Sequence, residues 1–271
     1  MILYGPKSAV INYTQRGTAR PYYFANDHAR DFVPVDAQTM PLTDGRALGT
    51  SLDREGFVLV PHVSTVEDFT GPDVAEKHPA EIVALLAAQT GADLVIITAP
   101  GILRFSERSG KAGSLNNSNP ARFAHIDVTS ATAETFGARG QPEGRIVSRF
   151  AQYNIWRAFS AAPQDVPLAV CDFRTIAPED LIEADAIFDE AGKPEWSFAS
   201  WVVAHNAAHR WHWFPDMTRD EALIFKTHDS DPAPARHVPH VAFDDPDCPA
   251  NAQPRASIEM RASAYWFGTG G

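Results

Sequence analysis

Phe123-Ala124-His125-Ile126-Asp127-Val128 is the segment whose residue types and spacing could do chemistry. In a strand, residues i and i+2 point to one face, so His125 and Asp127 can present an imidazole and a carboxylate to a single ion. Two histidines and one carboxylate, with the other positions open, hold iron in non-haem Fe(II) oxygenases, where O2 and a co-substrate must both reach the metal. A His-x-Asp triplet alone arises often by chance, so the reading needs a second imidazole. Of the ten histidines, His240 is the expected third ligand. Pro239-His240-Val241-Ala242-Phe243 reads as the start of a buried strand, after the strand Ala222–Phe225 and an acidic, proline-rich loop. His237 is the close competitor, and the bland alternative for either is a solvent-exposed loop histidine.

Arginines follow at a useful distance. Arg255 lies 15 residues after His240 and Arg261 lies 21 after it. Arg255-Ala256-Ser257 and Met260-Arg261-Ala262-Ser263 each offer a guanidinium with a nearby hydroxyl. Such a pair suits bidentate binding of a carboxylate, as 2-oxoglutarate would require. The strand Ser257–Tyr265 alternates, which puts Glu259, Arg261 and Ser263 on one face. One of the two arginines is expected only to pair with an acid at the surface. Tyr153-Asn154-Ile155-Trp156-Arg157 places Tyr153, Ile155 and Arg157 on one face and Asn154 and Trp156 on the other. Arg157 and Asn154 are further candidates for holding a co-substrate, the alternative for Arg157 being a structural ion pair. His205 and His209 have the i, i+4 spacing of a zinc-protease helix, but Asn206 stands where the catalytic glutamate would be.

These side chains need a rigid frame. Phe57–Pro61 reads as a short buried strand, and Ser64–Glu67 has capping-box spacing that predicts a short helix. Pro79–Gly91 is the clearest helix, with Gly91 as its stop, and Asp93–Thr98 follows as a strand. From residue 123 the pattern is mainly strand: Phe123–Thr129, Arg145–Phe159, Leu168–Phe173, Trp196–Phe214, Ala222–Thr227, Val238–Phe243 and Ser257–Phe267. Pro178–Asp185 reads as one or two helical turns. Residues 1–50 read as an N-terminal extended arm or short strands packed on the core. The 21 prolines sit mostly between these runs. Early helices and many late strands predict one mainly β domain over residues 1–271 with flanking helices, and a jelly roll is the natural form for so many antiparallel strands.

With 44% hydrophobic and 21% charged residues, the chain can bury one sizeable core. Its formal charge of -11 and the absence of a Lys/Arg cluster argue against nucleic acid or an anionic membrane as partner. Cys171 and Cys248 form no CxxC pair, and no apolar run is long enough for a membrane span. A cytoplasmic protein acting on a small molecule, and a homodimer, are the expectations.

In their order, the motifs resemble the family of AsaB-type hydroxylases/desaturases, gibberellin desaturase-like proteins and the cephamycin 7α-hydroxylation component. The carriers are Asn117–Asp127, Tyr153–Arg157, Pro167–Asp172, His205–Trp211, Phe214–Ala222, Pro239–Pro246 and Arg255–Arg261. The resemblance implies a double-stranded β-helix (a cupin-like jelly roll), Fe(II), and 2-oxoglutarate and O2 as co-substrates. It implies hydroxylation or desaturation of a small natural product or amino-acid-like substrate. It carries over His125, Asp127 and His240 as metal ligands and Arg255 or Arg261 as co-substrate anchor. Ala158 and Ala207 depart from it where proline is expected, off the proposed ligands. Asp127, not Gly or Ala, argues against a halogenase. The alternatives are an iron enzyme of the same fold that does not use 2-oxoglutarate, and a non-catalytic β-barrel binding module.

Overall fold

The computed structural model describes residues 7–17, 19–111 and 117–268. Its strands in chain order begin with β1 (Lys7–Thr14), β2 (Tyr22–Phe24), β3 (Val35–Asp44), β4 (Phe57–Pro61), β5 (Leu94–Phe105), β6 (Asn117–Ser118) and β7 (His125–Ile126). Then come β8 (Val147–Ala158), β9 (Leu168–Cys171), β10 (Leu181–Phe188), β11 (Trp196–Val203) and β12 (Trp211–Trp213). The series closes with β13 (Glu221–Asp229), β14 (His240–Ala242) and β15 (Ala256–Phe267). The helices are α1 (Asp73–Thr90) and α2 (Ser130–Gly140).

Two curled sheets face each other. One has the order β1-β3-β12-β9-β14-β7-β11-β10-β2 and the other β4-β13-β8-β15-β5-β6. This is the double-stranded β-helix expected from the sequence. Period-2 alternation divides each strand between the space inside and a covering layer outside. In the second sheet Tyr153, Ile155, Met260, Ala262 and Ala264 pack outward against Ile82 and Leu86 of α1. Inward, Phe57, Trp156, Leu223 and Phe225 meet Leu168 and Val170 of the first sheet. Each such side chain contributes ~1.5–3 kcal/mol on burial. Residues 7–44, read from sequence as an arm, supply strands to the first sheet. Ile11 and Tyr13 of β1 pack with Cys171, Trp211 and Val241.

Several local expectations are corrected. Ser64–Glu67 forms no helix. The Ser64 hydroxyl donates to Glu81 of α1 at 2.6 Å, and the Thr65 amide to the same carboxylate at 2.7 Å, so a distant acid replaces the local cap. Helix α1 begins six residues before the expected Pro79 start and ends at Gly91, whose φ of 66° is the left-handed stop. Pro178–Asp185 is a single 3-10 turn over Pro178–Asp180 and then strand β10, which pairs along its whole length with β11. Phe123–Thr129 is strand only at His125–Ile126, and the chain then enters α2, capped by the Thr129 hydroxyl.

Candidate metal centre

His125 and His240 are brought together by register. They stand directly opposite each other on the antiparallel strands β7 and β14, the arrangement in which cross-strand side chains meet. Their ring centroids are 4.2 Å apart. Nδ1 of His125 lies 3.0 Å from the carbonyl of Phe123, and Nδ1 of His240 lies 3.3 Å from the carbonyl of Val238. A carbonyl can only accept, so each Nδ1 carries the proton and each Nε2 keeps a free lone pair.

Asp127, two residues beyond His125, puts Oδ1 3.7 Å from the His125 Nε2. One ligand atom from each of His125, Asp127 and His240 lies within 4.8 Å of the other two, and all three residues are buried. The Asp127 carboxylate is held on both oxygens: Asn154 Nδ2 donates to Oδ2 at 2.6 Å and an Arg261 Nη2 donates to Oδ1 at 3.1 Å. Arg261 is itself held by Glu259, Nε to Oε1 at 2.9 Å.

The electrostatics suit a divalent ion. Burial, reinforced by the neighbouring His240, pushes His125 down to about 4, and burial lowers His240 as well, so both imidazoles are neutral ligands. Burial would raise Asp127, but Arg261, the two histidines and the Asn154 bond outweigh it and hold the carboxyl well below the usual range. Two neutral imidazoles and one ionised carboxylate on one side, with nitrogen and oxygen donors, fit Fe(II) with open positions. Aromatic rings wall the site: Phe225 is 4.7 Å from His240, Phe123 is 5.3 Å from His125 and Tyr23 is 6.4 Å from it, between centroids.

The other sequence candidates separate. Arg255, immediately before β15, and Ser257, at its start, are buried, and Ser257 is on the face that carries Glu259 and Arg261. Asn154 touches the ligand Asp127 directly. Arg157, by contrast, is on the outer face of β8. It donates to the Arg219 carbonyl at 2.7 Å and contacts His62, with Phe69 beneath it, away from the His125–Asp127–His240 cluster. His237 is half-buried and packs edge-on against Phe173, outside the cluster. His209 bonds Asp180 at 3.1 Å and Tyr13 at 3.2 Å, a structural contact in place of a zinc site. Among the described residues, His125, Asp127 and His240 are the one group of this kind placed to hold a metal.

Arg104 was missed by sequence reasoning. It pairs with Ser257 across β5 and β15 and shares its inner face. The signal existed, a long cation in an apolar strand, but the strand was expected to end at Thr98.

A family profile described as an oxidoreductase/YMDC permease-like domain (YDMC) matches residues 11–265. The Fe(II)/2-oxoglutarate-dependent dioxygenase nvfI of Aspergillus novofumigatus (strain IBT 16806) is 32% identical over 228 residues, covering 78% of this chain and 79% of its own. The hydroxylase/desaturase CTB9 of Cercospora beticola is 31% identical over 240 residues, 80% of this chain and 72% of its own. The hydroxylase/desaturase efuI of Hormonema carpetanum is 30% identical over 235 residues. A solved structure of the iron and alpha-ketoglutarate-dependent endoperoxidase NvfI superposes with a TM-score of 0.80 over 99% of this chain and 100% of that one, at 23% identity, and shares the fold. With its buried His-Asp-His cluster inside a double-stranded β-helix, this chain belongs to the Fe(II)/2-oxoglutarate-dependent dioxygenase family.

Proposed function

We propose that His125, Asp127 and His240 ligate Fe(II), and that 2-oxoglutarate binds beside it with its distal carboxylate on Arg255 and Ser257. The observation that carries the reading is the convergence of three buried ligand atoms within 4.8 Å. Arg255 supports the second half. It is 2% exposed, its Nη1 donates to the Val166 carbonyl at 2.7 Å, and its Nε is buried with no partner. Burial, with Arg104 and Arg122 nearby, pushes its pKa down to about 9. A buried guanidinium in that state calls for an anion. Arg261 is committed to Asp127 and Glu259, which removes it as the anchor.

When bound, iron with O2 and 2-oxoglutarate supplies an oxidant able to take hydrogen from an unactivated C–H bond. The chain's own residues do the rest. Asn154 and Arg261 orient the Asp127 carboxylate. Phe123, Phe225 and Tyr23 exclude water from the reacting face. The Tyr23 phenol is raised by burial and stays a neutral donor. The substrate is a small natural product, hydroxylated or desaturated, in keeping with the names of the fungal relatives. No helix among the described residues is long and apolar enough to cross a membrane, and both cysteines are unpaired, in keeping with action in the cytoplasm.

Anaerobic titration tests the reading. Fe(II) and 2-oxoglutarate added to the apoprotein should give the weak visible charge-transfer band of the chelate. His125→Ala and His240→Ala should abolish it, and His237→Ala should leave it intact. Arg255→Gln should retain Fe(II) and lose 2-oxoglutarate affinity. A band unaffected by His240→Ala would overturn the ligand set.

A further inference from the structure

The anchor inferred above contains only one cation, Arg255 just before β15, yet β5 brings a second one, Arg104, beside it. Arg104 stands directly across from Ser257 in the β5–β15 register, and Arg255 is two residues from Ser257 on the same face. The three side chains therefore form a cross-strand triangle, with neighbouring strands ~4.7–4.9 Å apart. The only hydrogen bond of the Arg104 side chain among the described residues is to the carbonyl of its neighbour Leu103, at 3.2 Å, and no carboxylate lies within ion-pair distance of it. Arg255 likewise has no ion pair from its side chain, and its Nε is buried without a partner.

Half-buried Arg104 and buried Arg255, the latter bonded to the Val166 carbonyl and lying over the Trp156 ring, place two cations without a carboxylate partner around Ser257, whose hydroxyl donates to the Arg104 carbonyl at 3.4 Å, and an anion between them would relieve their repulsion. The other acids nearby are taken. Glu259 holds Arg261. Asp165 accepts from the Ser106 hydroxyl at 2.9 Å and from the Arg255 backbone amide at 2.7 Å. Burial lowers the pKa of Arg104 although Glu259 raises it, and burial followed by the neighbouring Arg104 lowers that of Arg255.

We infer that Arg104 is the second half of the co-substrate anchor: β5 and β15 clamp the distal carboxylate of a dianionic 2-oxo acid between Arg104 and Arg255, with Ser257 donating from below. This rests on the reading of Arg255 and Ser257 given above. Its consequence is selectivity. A 2-oxo acid lacking the distal carboxylate leaves buried Arg255 and half-buried Arg104 without an anion, and is rejected by more than a single-arginine anchor would manage.

The test is anaerobic titration of the Fe(II)-loaded protein with 2-oxoglutarate and with 2-oxohexanoate, which keeps the chelating end and lacks the distal carboxylate. Wild type, Arg104→Gln, Arg104→Lys and Arg255→Gln are compared by the charge-transfer band and by calorimetry. Arg104→Gln should raise the Kd for 2-oxoglutarate about 10- to 100-fold, leave 2-oxohexanoate unchanged and leave Fe(II) affinity unchanged. Arg104→Lys should restore part of the loss, which a merely misfolded variant would not. Wild-type 2-oxoglutarate affinity in Arg104→Gln would overturn the inference while leaving the Arg255 anchor standing. Loss of Fe(II) affinity in Arg104→Gln would overturn it as well. No chelate band in the wild type would sink the underlying function along with it.

Discussion

At the scale of single residues, the candidate metal site has one carboxylate, and it is doubly restrained. Asn154 and Arg261 each take one oxygen of Asp127. Partners that orient a ligand typically matter ~10–100-fold in metal affinity. Asn154→Ala should therefore weaken Co(II) or Fe(II) binding by about that factor without unfolding the protein, read by calorimetric titration. Unchanged affinity would mean that Asp127 needs no such support. Arg157 behaves oppositely. Burial lowers it to about 10, and its bonds run to backbone and His62 on the far face of the sheet. Arg157→Met should cost ~1–3 kcal/mol of stability in a urea melt and leave metal affinity alone. Alternation in Tyr153–Arg157 separated Asn154 from Arg157 correctly. It did not say which face was inside, because period 2 is blind to which side the second sheet lies on.

At the scale of elements, α2 fills a stretch, residues 130–140, to which the sequence pattern assigns neither helix nor strand. It lies against β8, where a Cβ on Gly137 would fall 2.4 Å from a ring carbon of Phe150. Overpacking of this kind costs ~1–3 kcal/mol, so Gly137→Ala should lower the urea midpoint even though alanine is the better helix former. A stabilised variant would show that the Phe150 ring moves freely aside. The misreading of β10 has a local root. Pro178-Glu179-Asp180 starts a helical turn, and Asp180 supplies its cap by accepting from the Ala177 amide at 3.0 Å. Full-length pairing with β11 then overrides the local signal. Ser64–Glu67 fails as a helix for the same reason: Ser64 and Thr65 bond Glu81, 17 and 16 residues away in sequence.

At the scale of the whole molecule, several imidazoles are buried neutral. His78 is 1% exposed, and burial pushes it from 6.5 down to about 4 despite its contact with Glu81. His237 is pushed to about 4 by burial, with Arg236 adding to it. Each favours the fold only while uncharged. The unfolded chain takes up the proton first, so this stability is whole above pH 6.5 and is lost as pH falls toward 4. His78 alone contributes up to about 3 kcal/mol across that window. The melting temperature of the metal-free protein should fall by several degrees between pH 7 and 4.5 and by less in His78→Gln. A flat profile in the wild type would show that His78 is charged in the fold.

Residue types and local spacing paired His125 with Asp127, offered His240 with His237 as its rival, named two arginines each with a hydroxyl two residues on, and laid out the alternating strands that present them. These are properties of a few adjacent positions and of the two-residue repeat of a strand. Only the tertiary structure decided that β7 and β14, more than a hundred residues apart in the chain, pair so that His125 faces His240. Only it committed Arg261 to Asp127, turned Arg157 outward, and set Arg104 across from Ser257. Register and strand partners are fixed by which long-range packing buries the most apolar surface, and no local pattern encodes that choice.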